Sequence, residues 1–269
     1  MASSRKRKST STSWPRRALY AAAPYLVIAA VLGLWQALVM ANDIPPIYLP
    51  APSSILQYLW RMLADGSIPY NLLLTFLRIM AGFLVASAAG IAVGIAMGMS
   101  PLVARIVDPW IAALYPLPKI SLIPLLIIWL GTGEVYKIVI SAVTAFFPVV
   151  ISTFAAIRQV DPGLAKAARD LGATTGQIQR KIVIPAALPG IFSGLQLGMG
   201  VTIILVVAAE MIGGSSEGGM GDLLIRAGQV METEKVFACL IVLAIFGAVI
   251  TNAQKFLDRF IAPWMDDTH

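Results

Sequence analysis

The chain has 269 residues, of which 58% are hydrophobic and 13% are charged. A soluble globular domain averages about half apolar and about a quarter charged residues, so the composition excludes an ordinary soluble domain and indicates an integral membrane protein. The formal net charge of +6 does not indicate nucleic-acid binding, because the basic residues cluster at the ends of apolar segments and form no basic face.

The N-terminal residues 1–17 form a basic tail, with six Lys or Arg among Ser and Thr and few apolar side chains. We expect this tail to be disordered and cytoplasmic, because it cannot bury enough apolar surface to fold. The apolar stretch 18–41 follows it. This stretch exceeds the roughly 7–15 residues of a signal-peptide core, so an uncleaved first span is expected, with a cleaved signal peptide as the alternative.

Five further apolar segments follow, at about 71–99, 109–130, 135–157, 190–212 and 234–257. Each is long enough for a helix to cross a hydrocarbon core about 30 Å thick, and none alternates as a β-barrel strand does. The predicted fold class is therefore all-α, a polytopic membrane protein with about six transmembrane helices. Lys and Arg are concentrated on the side that carries both termini, so the positive-inside rule predicts cytoplasmic N- and C-termini.

A short amphipathic helix is predicted between the first two spans, with Ser53 or Ser54 as its cap. Its apolar side chains share one face: Ile55, Leu56, Leu59, Met62 and Leu63. We expect this helix to lie on the outer leaflet. It either packs over the outer ends of the spans or takes part in gating.

Small residues recur at every fourth position in the second and fifth spans. The positions are Gly82, Ala86, Gly90, Gly94 and Gly98, and then Gly190, Gly194 and Gly198. Such ladders let helix backbones approach closely in lipid, where packing drives helix association. Contacts within one chain are favoured over contacts between two copies.

The third span is interrupted by prolines around a basic residue, Lys119. A helix broken in this way leaves backbone groups that lipid cannot satisfy, so it should face protein or a water-filled cavity. At such a cavity the charge of Lys119 would favour an anionic solute. The alternative is that Lys119 lies in a turn near a surface and extends its stem to water.

Arg78, Glu210 and Gln196 are further candidates for the pathway of a solute, because charged and polar side chains are costly at membrane depth. Arg78 and Glu210 stand near the outer ends of their spans. The alternative for both is a pair that fixes the positions of the helices. For Gln196 the alternative is a hydrogen bond between helices.

The loop 158–189 is long and locally well specified. Asp161 is a favourable N-cap before Pro162, and Gly172 can end the helix predicted at about 162–171. Thr174 and Gln177 then predict a capping box for a second helix, which Pro185 should end. The result is a helix-turn-helix knob, residues 161–185, on the cytoplasmic side.

The first helix of the knob carries the expected docking face: Lys166, Ala167, Ala168, Arg169 and Asp170. Small and charged side chains on a compact knob suit insertion into a groove of a partner protein. The alternative is an ordinary basic loop beside the membrane.

The pattern Lys166-Ala-Ala-x3-Gly172-x9-Ile182-x-Ile184-Pro185 resembles the E-A-A-x3-G-x9-I-x-L-P loop of bacterial binding-protein-dependent ABC transporter permeases. Lys166 departs from the family's Glu, and Ile184 from its Leu. Further segments resemble the nitrate, sulfonate and taurine branch, including Leu49-Pro-x-Pro-Ser53, Gly131-x-Gly-Glu134 and Ala208-Ala-Glu210. The resemblance covers about 49–264.

This resemblance implies a type I ABC importer permease in a bacterial plasma membrane. The loop 158–189 would be the coupling loop that docks into an ABC ATPase subunit, present in two copies, with Lys166 to Asp170, Gly172, Ile182 and Pro185 in the contact. ATP and Mg²⁺ would bind that subunit, and this chain would bind no cofactor. A second permease copy, forming a homodimer, and an extracytoplasmic solute-binding protein complete the expected partners.

The chain is expected to divide into 18–68, the first span with the interfacial helix, and 69–264, the permease core with the coupling loop. Residues 265–269 would be a cytoplasmic tail. The expected solute is a small anion of sulfonate, taurine, nitrate or carboxylate type. A secondary transporter or channel that works without ATP is the alternative.

An enzyme is not expected. The chain has one cysteine, Cys239, and one histidine, His269, so neither a His-based catalytic group nor a multi-His metal site can form within it. No G-x4-G-K-[ST] phosphate-binding loop occurs, so ATP hydrolysis would require another polypeptide.

Overall fold

The structure, a computed structural model, describes residues 14–213 and 218–261. Within these residues the α-helices are α1 Trp14–Ala41, α2 Pro52–Ala64, α3 Ser67–Met99, α4 Pro101–Leu114, α5 Ile123–Leu130, α6 Glu134–Gln159, α7 Pro162–Asp170, α8 Thr175–Ile178, α9 Ile184–Ile212, α10 Met220–Gln229 and α11 Thr233–Ile261. A 3-10 turn, Lys119–Leu122, precedes α5, and a π-helical turn, Gln179–Val183, joins α8 to α9. The described residues contain no β-strand, which confirms the all-α prediction.

In the described part of the chain, five helical segments are long and apolar enough to cross a membrane, and a bent pair brings the number to six. The bent pair is α4 with residues 119–130, which turn by 87°. The third apolar segment, predicted at about 109–130 and interrupted by prolines, is thus a bent pair that begins earlier, at Pro101. The physical reason is local, because Pro116 and Pro118 carry no backbone N–H and cannot continue an α-helix through the break.

The centre of the bundle is α6, which lies between α3 and α9. The small-residue ladder of α3 packs on one side of α6, where a Cβ added at Gly94 would lie 2.6 Å from the Thr153 Cβ. The ladder of α9 packs on the other side, where a Cβ at Gly194 would lie 2.5 Å from the Ser152 Cβ. The ladders thus serve contacts within one chain, as predicted.

Helix α2 packs over the bundle instead of standing apart from it. Ile55 and Met62 are buried in a cluster with residues of α10 and α11, whereas Leu56 and Leu63 are exposed. The predicted serine cap is wrong, because the N-cap is Ala51 and Pro52 is the first helical residue. Proline suits this position since its missing N–H has no helical partner there.

Helix α1 lies at the periphery and contacts the remainder through few side chains. The rings of Trp35 and Phe237 are 5.7 Å apart, and Gln36 Nε2 donates to Ser53 Oγ at 3.1 Å. The helix begins at Trp14, so residues 14–17 belong to it and not to the expected tail. The rest of that tail and the predicted tail 265–269 lie outside the described residues.

Candidate functional site

The knob forms at one end of the bundle, which we call the α7 end. The Gly163 N–H donates to Asp161 Oδ1 at 2.7 Å, so Asp161 caps α7 as predicted. Gly172 adopts the left-handed conformation, with φ +84°, just after α7 ends. Thr174 and Gln177 form the predicted reciprocal capping box at α8. Local sequence signals were sufficient here because each cap acts within a few residues.

The expected docking face is open to its surroundings. Lys166, Ala167, Arg169 and Asp170 are exposed, and Ala168 is half-buried. Leu171 is 89% exposed. Beside it lies a groove of about 390 Å³, lined by Leu171, Gly172, Ala173, Gln177, Lys181 and Ile182. The surface therefore combines an apolar tip, a groove and charged groups.

Pro185 does not end the second helix of the knob, contrary to the prediction. The chain passes from α8 through the π turn directly into α9, and Pro185 stands in the first turn of α9. A proline ring clashes with the carbonyl four residues earlier only in a regular α-helix. The wider π turn before Pro185 removes that conflict. Pro185 is half-buried and does not line the groove.

Lys119 lies in the break of the bent pair and lines a groove of about 500 Å³. Thr144 and Pro148 of α6 line the same groove. The residues that α9 contributes to the groove are apolar: Val201, Ile204 and Leu205. Lys119 thus lies in a turn and also lines a groove.

The ammonium of Lys119 is held by aromatic and carbonyl groups. Its Nζ donates to the Tyr115 carbonyl at 2.8 Å and lies 5.0 Å from the centre of the Phe147 ring and 5.2 Å from that of Tyr115. No acidic side chain of the described residues forms an ion pair with it. The groove therefore presents a positive charge without a carboxylate that would compensate it.

The opposite end of the bundle, the α10 end, contains a cluster of charges in which Arg78, Lys137 and Glu210 are buried and the Glu134 side chain is 44% exposed. Arg78 of α3 is 2% exposed and donates from Nη1 to Glu210 Oε1 at 2.6 Å. Its Nε donates to Glu134 Oε2 at 2.6 Å, and its Nη2 pairs with Glu134 Oε1. Lys137 Nζ lies 3.5 Å from the same Glu134 oxygen. Four charges, two of each sign, thus join α3, α6 and α9.

This cluster also holds the segment 218–221, which leads into α10. Glu210 accepts hydrogen bonds from Thr75 Oγ1 and from the Gly221 N–H, each at 2.9 Å. The Met220 N–H donates to Thr75 Oγ1 at 2.9 Å, and the Gly219 N–H donates to Asn71 Oδ1 at 2.7 Å. The N–H groups at the start of α10 have no carbonyl acceptor within the helix, and side chains of the bundle accept their hydrogen bonds instead.

Arg78 and Glu210 consequently pair with each other, the alternative that the sequence left open. Neither residue lines the groove at Lys119. The cluster and its hydrogen bonds also include residues that were not predicted from the sequence: Asn71, Thr75, Glu134 and Lys137. Glu134 could have been predicted from the sequence, because it directly follows Gly131-x-Gly133 at the start of a helix, where a carboxylate is favoured.

Gln196 is likewise engaged in a contact between helices. Its Nε2 donates to Asp258 Oδ2 of α11 at 2.5 Å, and Asp258 is only 5% exposed. Gln196 does not line the groove at Lys119. Gln196 therefore forms a hydrogen bond between two helices, which is the alternative stated for it above.

Comparison with known proteins gives the same overall picture. Residues 88–263 match the family model described as "Binding-protein-dependent transport system inner membrane component". The chain is 34% identical over 242 residues to the taurine transport system permease protein TauC of Escherichia coli (strain K12), covering 88% of this chain and 87% of that protein. It is also 34% identical over 239 residues to SsuC of Bacillus subtilis (strain 168), which is named as an aliphatic sulfonates transport permease. That match covers 89% of this chain and 86% of SsuC.

One similar solved structure is the MetNI methionine ABC transporter in an inward facing conformation. The matched chain has a TM-score of 0.55 and 24% sequence identity. The match covers 79% of this chain and 98% of that one. At this identity the likeness concerns the fold.

Proposed function

Because this chain belongs to the family of binding-protein-dependent transport system inner membrane components, we propose that it forms the translocation pathway of an ATP-driven importer for a small anionic solute. The observation that carries the choice of an anion is Lys119. It is a cation without an acidic partner among the described residues, in a groove of about 500 Å³.

The chemistry of the groove suits a small anion with a short apolar part. The Lys119 ammonium attracts the anionic group, and the low polarity around it strengthens that attraction. Val201, Ile204 and Leu205 offer contact to an alkyl chain. Of the expected sulfonate, taurine, nitrate and carboxylate types, those with an alkyl chain fit the groove best, and the names of the two relatives at 34% identity favour the sulfonates.

The test of the anion proposal is a charge series at Lys119 in proteoliposomes. Lys119→Arg retains the charge and should retain uptake of an alkyl sulfonate, whereas Lys119→Gln should reduce it at least about tenfold. Lys235→Gln is the matched control, because Lys235 lies at the α10 end and pairs with Glu232 at 3.1 Å. Unchanged sulfonate uptake by Lys119→Gln would refute the proposed role of the Lys119 charge in anion recognition.

The second part of the proposal is that the exposed face of the knob docks into an ABC ATPase subunit, with one ATPase copy for each of two permease copies. ATP and Mg²⁺ bind the ATPase, whose closure moves the two knobs together and opens the pathway toward a solute-binding protein. Support comes from the exposed Lys166 and Arg169, the apolar tip Leu171 and the adjoining groove. Lys166 would meet an acidic group on the ATPase.

Binding of the separate ATPase to the purified chain tests this docking. Full-length permease should bind the ATPase, and a chain in which a short Gly-Ser linker replaces residues 161–178 should not. Uptake should then require both the ATPase and ATP. Solute uptake by the permease alone, driven by an ion gradient, would favour the alternative of a secondary transporter or channel.

We also propose a homodimer with both termini in the cytoplasm of a multi-pass protein of the bacterial plasma membrane. The Lys and Arg residues at the α7 end support this orientation by the positive-inside rule. The groove at Lys119 is open on one side, which leaves room for a second copy to complete a pathway. Labelling of single cysteines at positions 176 and 229 from either side of the membrane tests the orientation.

A further inference from the structure

The π turn Gln179–Val183 is the one place in the described residues where two helices join without a loop and without regular α-helical pairing. The Ile184 N–H donates to the Gln179 carbonyl, five residues earlier in the chain. In an α-helix the N–H bonds to the carbonyl four residues earlier, so the π turn contains one extra residue. Single π turns of this kind occur frequently at functional sites.

The extra residue changes which side of the helix α8 presents. Ile178 and Ala187 are nine residues apart, and in a continuous α-helix they would lie about 180° apart around the axis. One additional residue in the turn reduces this angle to about 80°. Both side chains are buried, Ile178 to 4% exposure and Ala187 to 2%. The π turn thus allows both residues to face protein.

Pro185 supplies a physical reason for the turn. In a continuous α-helix its ring would clash with the Lys181 carbonyl, and it has no N–H to donate to that oxygen. The wider turn avoids this clash, and the chain continues as a helix past Pro185.

A cavity lies behind the π turn. It measures about 200 Å³ and is lined by Gln179 and Val183 of the turn, by Ala165 of α7 and by the ends of α3 and α6. The turn is therefore not packed tightly against the bundle. By contrast, α3, α6 and α9 are locked together by the two ladders and by the Arg78 cluster.

We propose that the π turn is a positioning element, which sets the rotational register between α9 and the helices α7 and α8, and so decides which face the knob presents to the ATPase. This inference rests on the proposed coupling function. Removing one residue from the turn would convert it to an α-helix and rotate α8 by about 100°. A side chain on the surface of α8 would move by about 8 Å, given a helix diameter of 10–12 Å.

The test compares deletion of Arg180 with Arg180→Ala. Both changes remove the same exposed side chain, but only the deletion changes the length of the turn. Spin labels at Gly176→Cys and Gln159→Cys, in a Cys239→Ala background, report the position of α8 relative to α6 without any ATPase. ATPase binding is measured separately on the unlabelled variants.

We expect Arg180→Ala to keep the wild-type label distance and ATPase affinity. The deletion should shift the distance by several ångströms and weaken ATPase binding at least about tenfold. A deletion variant that binds the ATPase as tightly as Arg180→Ala overturns the proposal. If wild-type permease binds no ATPase, the proposed coupling function fails, while the label distances still decide whether the turn sets the register.

Pro185→Ala keeps the test decisive if the deletion variant does not fold. This substitution restores an N–H that can donate to the Lys181 carbonyl, so α-helical pairing becomes available without a change in length. The label distances should then include a second population displaced from the wild-type value. A single population at the wild-type distance contradicts the assigned role of the turn.

Discussion

Arg78 of α3 donates from its guanidinium to the carboxylate of Glu210 on α9 across 2.6 Å, and the Glu210 side chain is completely buried. The same carboxylate accepts the Gly221 N–H at the start of α10. One ion pair therefore joins two spans and also fixes the segment that follows α9. This relationship makes Arg78 and Glu210 structural residues of the α10 end.

Removing the carboxylate at position 210 should destabilise the protein strongly. Glu210→Ala leaves the buried guanidinium of Arg78 with one carboxylate fewer and leaves the Gly221 N–H without an acceptor. Breaking a buried ion pair in this way costs about 3–5 kcal/mol. Denaturant unfolding in detergent measures the loss. Lys235→Ala, which breaks a more exposed pair with Glu232, should cost less than about 1 kcal/mol; equal losses would contradict the structural role.

A methyl group added to the ladder of α3 should separate α3 from α6. In Gly94→Ala the new Cβ would lie 2.6 Å from the Thr153 Cβ, so the helices must move apart. Overpacking of this kind costs about 1–3 kcal/mol. Thermal unfolding in detergent provides the measurement. Gly247→Ala is the matched control, because its Cβ meets nothing within 4 Å, and stability there should stay equal or rise.

A side chain at Gly172 should uncouple transport while the bundle stays folded. The φ of +84° is strained for any residue with a Cβ, although there is space for one. We expect Gly172→Val to disturb the end of α7 at a cost of about 1–2 kcal/mol and to abolish ATP-dependent uptake. Gly228→Val is the control, since it also has open space, has no positive φ and lies in α10, away from the knob. Normal transport by Gly172→Val would make the coupling assignment wrong.

Loss of the amide at position 196 should affect stability and leave solute recognition unchanged. Gln196→Leu removes the donor that binds the buried Asp258 carboxylate at 2.5 Å. A buried acceptor that loses its partner costs about 1–3 kcal/mol. The exposed Asn252→Leu should change stability by less than about 0.5 kcal/mol. A change in the solute preference of Gln196→Leu would return Gln196 to the pathway candidates.

The sequence predicted the features that depend on near neighbours in the chain. The apolar spans, the Asp161 cap, the capping box at Thr174 and the turn at Gly172 all appear as expected. It failed at Pro185, where a local rule predicted the end of a helix. A proline can end a helix, kink it or be accommodated by a π turn, and the choice depends on the packing of side chains on both sides of it, such as Ile178 and Ala187, so the proline alone does not reveal the turn.

The amino-acid sequence by itself determined the membrane class, the spans, the knob and the family resemblance, because hydrophobicity, helix caps and turns act over short stretches of chain. Only the tertiary structure decided that Arg78 meets Glu134 and Glu210, that α6 lies between two glycine ladders, and that Lys119 faces a groove. Those contacts join residues far apart in the chain. Their partners depend on how whole helices pack, which the pattern within any one helix does not specify.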